Sequence, residues 1–387
     1  MNSQQNVHSY LRPRLWSNNM WLICLSHLLL SVSLYMLIPV LYAWLKVTFP
    51  DAGALCIGSV LAISGVATFL LGPFFNYLVD RFSRKRVCAW SIIVIAVCSA
   101  AFHWTPVLSW VIFLRIVQGM MQGVALMASG STLAIDLTES PRRTEANNAF
   151  AWFGRLGLSL GPLLGLLLLK YFSFNTIFGV SCAIGCVAAL LILMLKVPFR
   201  APLCPPICSI DRFWLPNGWL MFIQILPVAA GFGMLLAVIR QYEFYVFMMV
   251  GFCLALIALH YVFLRADIRS EIVSGNILWG AGLLLLLFRH TNIAFYCSGA
   301  LIGLGVGLTV ARMLIFYIKL SQHCERGSAN TSYMLAWELG LSGGLLLGTL
   351  QSADLPFCYE ICLWMLIAAL AVYLLITHRW FMKHKMR

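Results

Sequence analysis

The chain has 387 residues, 61% of them hydrophobic and only 10% charged, with a mean hydropathy of +0.90 and a formal net charge of +13. This composition excludes a water-soluble globular domain and makes lipid the solvent. The basic residues lie in short breaks between apolar runs rather than on one face, so the positive charge marks membrane edges and gives no ground for nucleic acid as a partner.

A membrane span needs about 20 mostly apolar residues, and twelve such runs follow one another. The first runs from Trp21 to Leu45 behind a polar start. It is too long for the apolar core of a signal sequence, and no small-residue cleavage site follows it, so it reads as a retained span. The next five are Ala52 to Val79, Val87 to His103, Val107 to Leu137, Asn147 to Lys170 and Phe174 to Val197. A Pro-rich, charge-bearing interruption covers 198–217. Beyond it come Gly218 to Ile239, Phe244 to Leu264, Ile272 to Phe288, Ile293 to Leu320, Ser328 to Leu350 and Phe357 to Thr377. Only helices satisfy every backbone donor in hydrocarbon over runs of this length, and the lack of alternation excludes a barrel. The predicted fold is an all-α membrane protein of two pseudo-symmetric six-helix bundles, 1–197 and 218–387, joined by a cytoplasmic linker at 198–217.

Lys and Arg collect on the cytoplasmic side of a membrane. With both termini there, that side receives Arg12, Arg14, Arg81, Arg84, Lys85, Arg86, Arg142, Arg143, Lys196, Arg200, Arg212, Arg265, Arg269, Lys319, Arg326, Arg379, Lys383, Lys385 and Arg387. The other side receives Lys46, Lys170, Arg240 and Arg289, and three arginines remain inside spans: Arg115, Arg155 and Arg312. The expected location is therefore the inner (cytoplasmic) membrane, with the protein as a monomer in the lipid bilayer. The 13 cysteines are scattered through apolar runs and read as small packing residues. Cys204 and Cys208 flank Pro-Pro in the linker without a His or acidic neighbour, which favours a plain loop over a metal site. No metal or cofactor is expected.

The fifth and eleventh spans repeat one another. Shifting the chain by 183 residues lays Arg142 to Gly165 over Glu325 to Gly348, with eleven identities in 24 positions. These include Arg143 with Arg326, Ala146 with Ala329 and Asn147 with Asn330. Gly157, Gly161 and Gly165 meet Gly340, Gly344 and Gly348, and Pro162 meets a leucine. Glycines four apart fall on one helix face and admit a neighbouring backbone, here expected to be packing that serves two halves rocking against each other. Six spans separate the copies, so both cross in the same direction, as parallel repeats about an axis along the membrane normal require.

At this point the residues resemble the major facilitator superfamily over essentially the whole chain. Between spans two and three, Asn76-Tyr-Leu-Val-Asp80-Arg81-Phe-Ser-Arg84-Lys85-Arg86 is similar to that family's cytoplasmic loop motif, with Asn76 and Ser83 standing in for its glycines. In span four, Arg115-Ile-Val-Gln118-Gly119 followed by Gly123 resembles the motif linked to proton coupling. In span five, Gly157, Gly161, Pro162 and Gly165 resemble the motif typical of exporting antiporters, with Leu166 in place of its final glycine. The resemblance implies a conformational latch among Asp80, Arg81, Arg84 and Asp136 that holds the outward-facing state. On the residues alone, the same basic run reads equally as a topology anchor, with Asp80 facing the amino terminus of span eleven.

With 1.5 Å of rise per residue, Arg115, Arg155, Arg312 and Glu338 lie roughly 12 to 15 Å along their helices, close to the midplane. A charge there costs about 2.5 to 3.5 kcal/mol on insertion scales, so these side chains should face a water-filled cavity or one another. Arg155 and Glu338 occupy matching positions of the repeat with the sign inverted. Two roles for Glu338 stand open. It forms an internal ion pair, with Arg312 as the nearer partner, or it takes up a proton and couples it to substrate movement. Three arginines against one glutamate predict a positive cavity and an anionic substrate. His27 reads as structural, and the tryptophans near span ends, Trp44 and Trp104 among them, fit interfacial anchoring.

The function expected is secondary active transport of a small molecule, namely proton-coupled export of a small organic solute. Import is the close alternative, and a non-transporting membrane sensor is a further one. No phosphate loop, zinc cluster or nucleotide fold appears, so ATP is not the energy source. An intramembrane acyltransferase needs a His-Asp pair, and His27, His103 and His260 have no acidic neighbour at helical spacing.

Overall fold

The computed structural model describes residues 15–104, 107–197, 206–210, 213–263, 266–288, 291–322 and 325–385. Arg12, Arg14, Arg200, Arg212, Arg265, Arg289, Arg387 and Cys204 lie outside the described residues, as does most of the linker. The spans are α1 (Asn18–Thr48), α2 (Ala54–Leu70 and Gly72–Arg81), α3 (Arg84–Trp104), α4 (Leu108–Asp136), α5 (Ser140–Tyr171) and α6 (Phe174–Leu193). They continue as α7 (Pro216–Val238), α8 (Tyr242–Tyr261), α9 (Ile268–Leu287), α10 (Asn292–Leu320), α11 (Arg326–Leu350) and α12 (Leu355–His384). The protein is an all-α membrane protein of twelve transmembrane helices in two six-helix bundles, and the described residues contain no strand.

Helix starts are set by polar side chains that take up otherwise orphaned backbone donors. Ser17 accepts from the Met20 amide (3.2 Å), Thr291 from Ala294 (3.3 Å) and Asp354 from Phe357 (3.1 Å). Two spans depart from the expected uniform apolar run. The stretch expected as one span from Ala52 to Val79 bends by 59° between Leu70 and Gly72. Pro73 has no N–H to donate to the Phe69 carbonyl, and its ring crowds that turn. In the other, α11, Asn330, Thr331, Ser332, Glu338 and Ser342 are all buried, so it falls short of the apolarity of the other spans and faces protein instead of lipid.

Burial separates inner from outer helices. The apolar windows of α1 and α7 are each 83% buried, against 28% for α12, which exposes Trp364, Ile367 and Leu375 to the hydrocarbon. The repeat is visible as packing. Cβ atoms added at Gly157, Gly161 and Gly165 of α5 would run into Ser31, Tyr35 and Met36 of α1. Those added at Gly340, Gly344 and Gly348 of α11 would run into Leu226, Ala230 and Met234 of α7. The glycine faces thus admit a neighbouring backbone, as expected, and that neighbour belongs to the same half of the chain and not to the opposite one. Contact between halves runs through α2 against α11 and α5 against α8, where Ser159 donates to the Tyr245 carbonyl (2.6 Å).

Candidate functional site

The two repeat helices and α1 bring their midpoints together around a central cavity of about 50 Å³. Its polar wall consists of His27, Ser31 and Tyr35 from α1, Gln122 from α4, Arg155 from α5, and Tyr333 and Glu338 from α11. Trp337, Met334, Leu34 and Leu158 complete it with apolar surface. A cavity needs roughly 10 to 15 Å³ per water, so this one holds a few waters, whereas drug-sized ligands take about 300 Å³ or more. The state described is occluded.

Both ends are shut by cross-half contacts. On the face opposite the two chain ends, Gly58 of α2 lies against Leu346 and Thr349 of α11, and the Arg240 guanidinium sits 3.6 Å from the centre of the Tyr42 ring. On the face of the chain ends, Asn330 of α11 packs on Gly130 of α4, and Gly327 on Ser131. There the end of the linker is wedged in as well. The Phe213 ring covers Gly72 at the bend of α2. Ser332 of α11 accepts from the Leu215 amide (2.8 Å) and donates to the Phe213 carbonyl (3.1 Å).

The two charges in matching repeat positions both reach this cavity, and each is held by a tyrosine from the other half. Tyr35 donates its hydroxyl to Glu338 at 2.6 Å. Arg155 donates from Nη2 to the Tyr333 hydroxyl (2.8 Å) and to the Val310 carbonyl (3.1 Å). Its guanidinium also lies 5.1 Å from the Trp152 ring centre and 5.8 Å from that of Tyr333. Nε and Nη1 of Arg155 are buried without a hydrogen-bond partner. Leaving buried donors unpaired is costly, so these N–H groups are poised to receive an acceptor. His27 stacks on Phe150 (4.0 Å between ring centres) with Nδ1 buried and unbonded.

The other intramembrane charges lie elsewhere. Arg115 is spent on α2, donating to the Ser64 hydroxyl (2.6 Å) and the Leu61 carbonyl (2.9 Å), and on Gln118 of its own helix (3.1 Å). Gln118 in turn donates to Ser99 (3.0 Å), so this pair binds α4 to its neighbours and does not line the cavity. Arg312, expected to pair with Glu338, instead forms a two-pronged ion pair with Glu271 of α9, which is fully buried. The cavity expected to hold three arginines against one glutamate holds one of each sign.

At the hairpin between α2 and α3, Arg84 bridges Asp80 (3.1 Å) and Asp136 at the end of α4 (2.5 Å), joining three elements through one guanidinium. Arg84 thus touches both carboxylates of the expected latch. Among the described residues, no three His, Cys, Asp or Glu side chains come together as metal ligands.

Comparison with known proteins returns one family. The profile of the Major Facilitator Superfamily matches residues 23–340. The tetracycline resistance protein, class C, of Escherichia coli is 30% identical over 155 residues, covering 39% of this chain and 38% of the relative. Multidrug resistance protein 3 of Bacillus subtilis (strain 168) is 27% identical over 121 residues, covering 31% and 23%. The chain thus spans well under half the length of these curated relatives. The crystal structure of the human organic anion transporter MFSD10 (TETRAN) superposes with a TM-score of 0.68 at 14% identity, over 93% of this chain and 100% of that one.

Proposed function

Because the chain belongs to the Major Facilitator Superfamily and is therefore a membrane transporter, we propose that it exports a small organic anion in exchange for protons by alternating access. One observation carries this reading: Arg155 and Glu338, at equivalent positions of the two repeats, line one occluded cavity, each hydrogen-bonded to a tyrosine of the opposite half. The direction is supported by the resistance functions in the names of the relatives.

In this mechanism Glu338 is the proton site. As a carboxylate it accepts a strong, charge-assisted bond from Tyr35. A proton arriving on its other oxygen removes the charge and weakens that clasp between α1 and α11. Arg155 is the solute site. An anionic group accepting from Nε and Nη1 satisfies the open donors while the rings of Trp152 and Tyr333 hold the guanidinium in place. Import would need the order of loading reversed in the same frame, and the names of the relatives favour export. The Arg84 bridge to Asp80 and Asp136 serves as the latch that keeps the face of the chain ends closed until the halves rock.

The test is proton-gradient-driven flux in proteoliposomes. Glu338→Gln is expected to abolish gradient dependence while folded yield stays normal. Unchanged coupling overturns the proton role.

A further inference from the structure

A second site lies outside the transport path, on the flank of the α2–α3 hairpin. There Leu78 and Phe82 of the α2 end, Trp90 and Val94 of α3 and Met121 of α4 wall a groove of about 370 Å³ with Arg86 at its rim. Phe82 and Trp90 are 56% and 65% exposed, and on a helix end of a membrane protein such rings sit at the level of the lipid headgroups.

The basic residues of this turn are not equivalent. Arg84 is bound to Asp80 and Asp136, Lys85 donates to the Leu195 carbonyl (2.7 Å), and Arg81 is engaged as well. Arg86 is exposed and makes no hydrogen bond or ion pair among the described residues. A cation with open donors thus stands at the mouth of an apolar trough that opens to the bilayer. We infer that this groove binds an anionic phospholipid, with its phosphate on Arg86 and an acyl chain between Trp90, Val94 and Met121. The ligand's two ends account for both features, since an acyl chain fills apolar surface and a basic side chain near the membrane surface attracts an anionic headgroup.

This inference does not depend on which solute is carried.

The experiment is native mass spectrometry of the full chain in detergent with equimolar phosphatidylglycerol and phosphatidylcholine. Wild type is expected to retain phosphatidylglycerol preferentially. Arg86→Gln should lower that preference about fivefold, the effect of one basic side chain near the surface. Val94→Trp, which keeps the charge and fills the trough, should lose bound lipid of both kinds. Arg379→Gln, on the exposed end of α12, should behave as wild type. Melting curves establish that each variant is folded. Equal retention of the two lipids by wild type, or an unchanged preference in Arg86→Gln, overturns the site.

Discussion

Replacing Tyr35 by Phe removes one oxygen and leaves the Cβ and backbone that pack against Gly161. The lost bond is 2.6 Å long, joins α1 to α11, and ends on a carboxylate in a residue only 8% exposed. A hydrogen bond to a charged group contributes about 1.5 to 3 kcal/mol, and Gln122 beside it can recover part of that, so the lower bound is the working figure. Since the bond crosses the halves, its loss acts on the occluded state. About 1.4 kcal/mol is tenfold in an equilibrium constant, so the open population should rise roughly tenfold. Hydrogen exchange read by mass spectrometry reports this directly, because amides on the cavity side of α1 and α11 exchange only when the halves part. Tyr35→Phe should accelerate exchange in those segments about tenfold and leave α9 and α12 unchanged. Exchange identical to wild type in α1 and α11 refutes the clasp as a determinant of the closed state.

Glu271→Gln leaves the partly buried Arg312 without its carboxylate and should destabilise the fold by about 3 kcal/mol, the lower end for a buried pair. Glu271→Leu combined with Arg312→Met should recover most of that; a melting temperature unmoved by the single change refutes the pairing. At the repeat, Gly165→Ala drives a methyl into the Met36 backbone and should lower folded yield. Gly343→Ala meets nothing within 4 Å and should be neutral or gain up to about 1 kcal/mol from helix propensity, measured by thermal melts of both variants. Phe213→Ala removes the ring seated on Gly72 and should speed hydrogen exchange in the second segment of α2, with no change there counting against the linker as a wedge.

The twelve spans, the repeat and the inversion of charge within it were legible because hydropathy and glycine spacing are local properties of a chain. What was not legible depended on which side chains meet. Glu271 shows how small the margin is. Reading α9 from Ile272 left this carboxylate in a loop, but the helix starts at Ile268 and buries Glu271 against Arg312. That one turn changes the partner of an intramembrane arginine. The bend in α2 had a visible signal, Gly72-Pro73, which apolar averaging over the span concealed. Tyr35 and Tyr333 had no signal. Each looks like an ordinary aromatic in an apolar helix, and each becomes a site residue only because the opposite half presents a charge at hydrogen-bond distance. Arg115 erred in the other direction. Its midplane depth suggested a cavity, but Ser64 and two carbonyls of α2 supply its acceptors within one half.

The size of the two clasps bears on why exchange should be obligatory in the proposed mechanism. A hydrogen bond to a charged group contributes about 1.5 to 3 kcal/mol; the Glu338 clasp has one, and the Arg155 clasp adds a second to the Val310 carbonyl. One elementary charge crossing a potential of 100 mV releases about 2.3 kcal/mol. That is comparable with the Tyr35 to Glu338 clasp and less than the two clasps together. The Arg155 to Tyr333 clasp must be released by something else, and the unpaired Nε and Nη1 of the same guanidinium are where an anionic solute acts. Had both repeat positions kept one sign, two like charges would share a cavity of about 50 Å³, and one kind of ligand would serve both. With opposite signs, each clasp answers to a different ligand. Exchange then follows if the two ligands act on alternate strokes, the proton on the Glu338 clasp in one and the anion on the Arg155 clasp in the other.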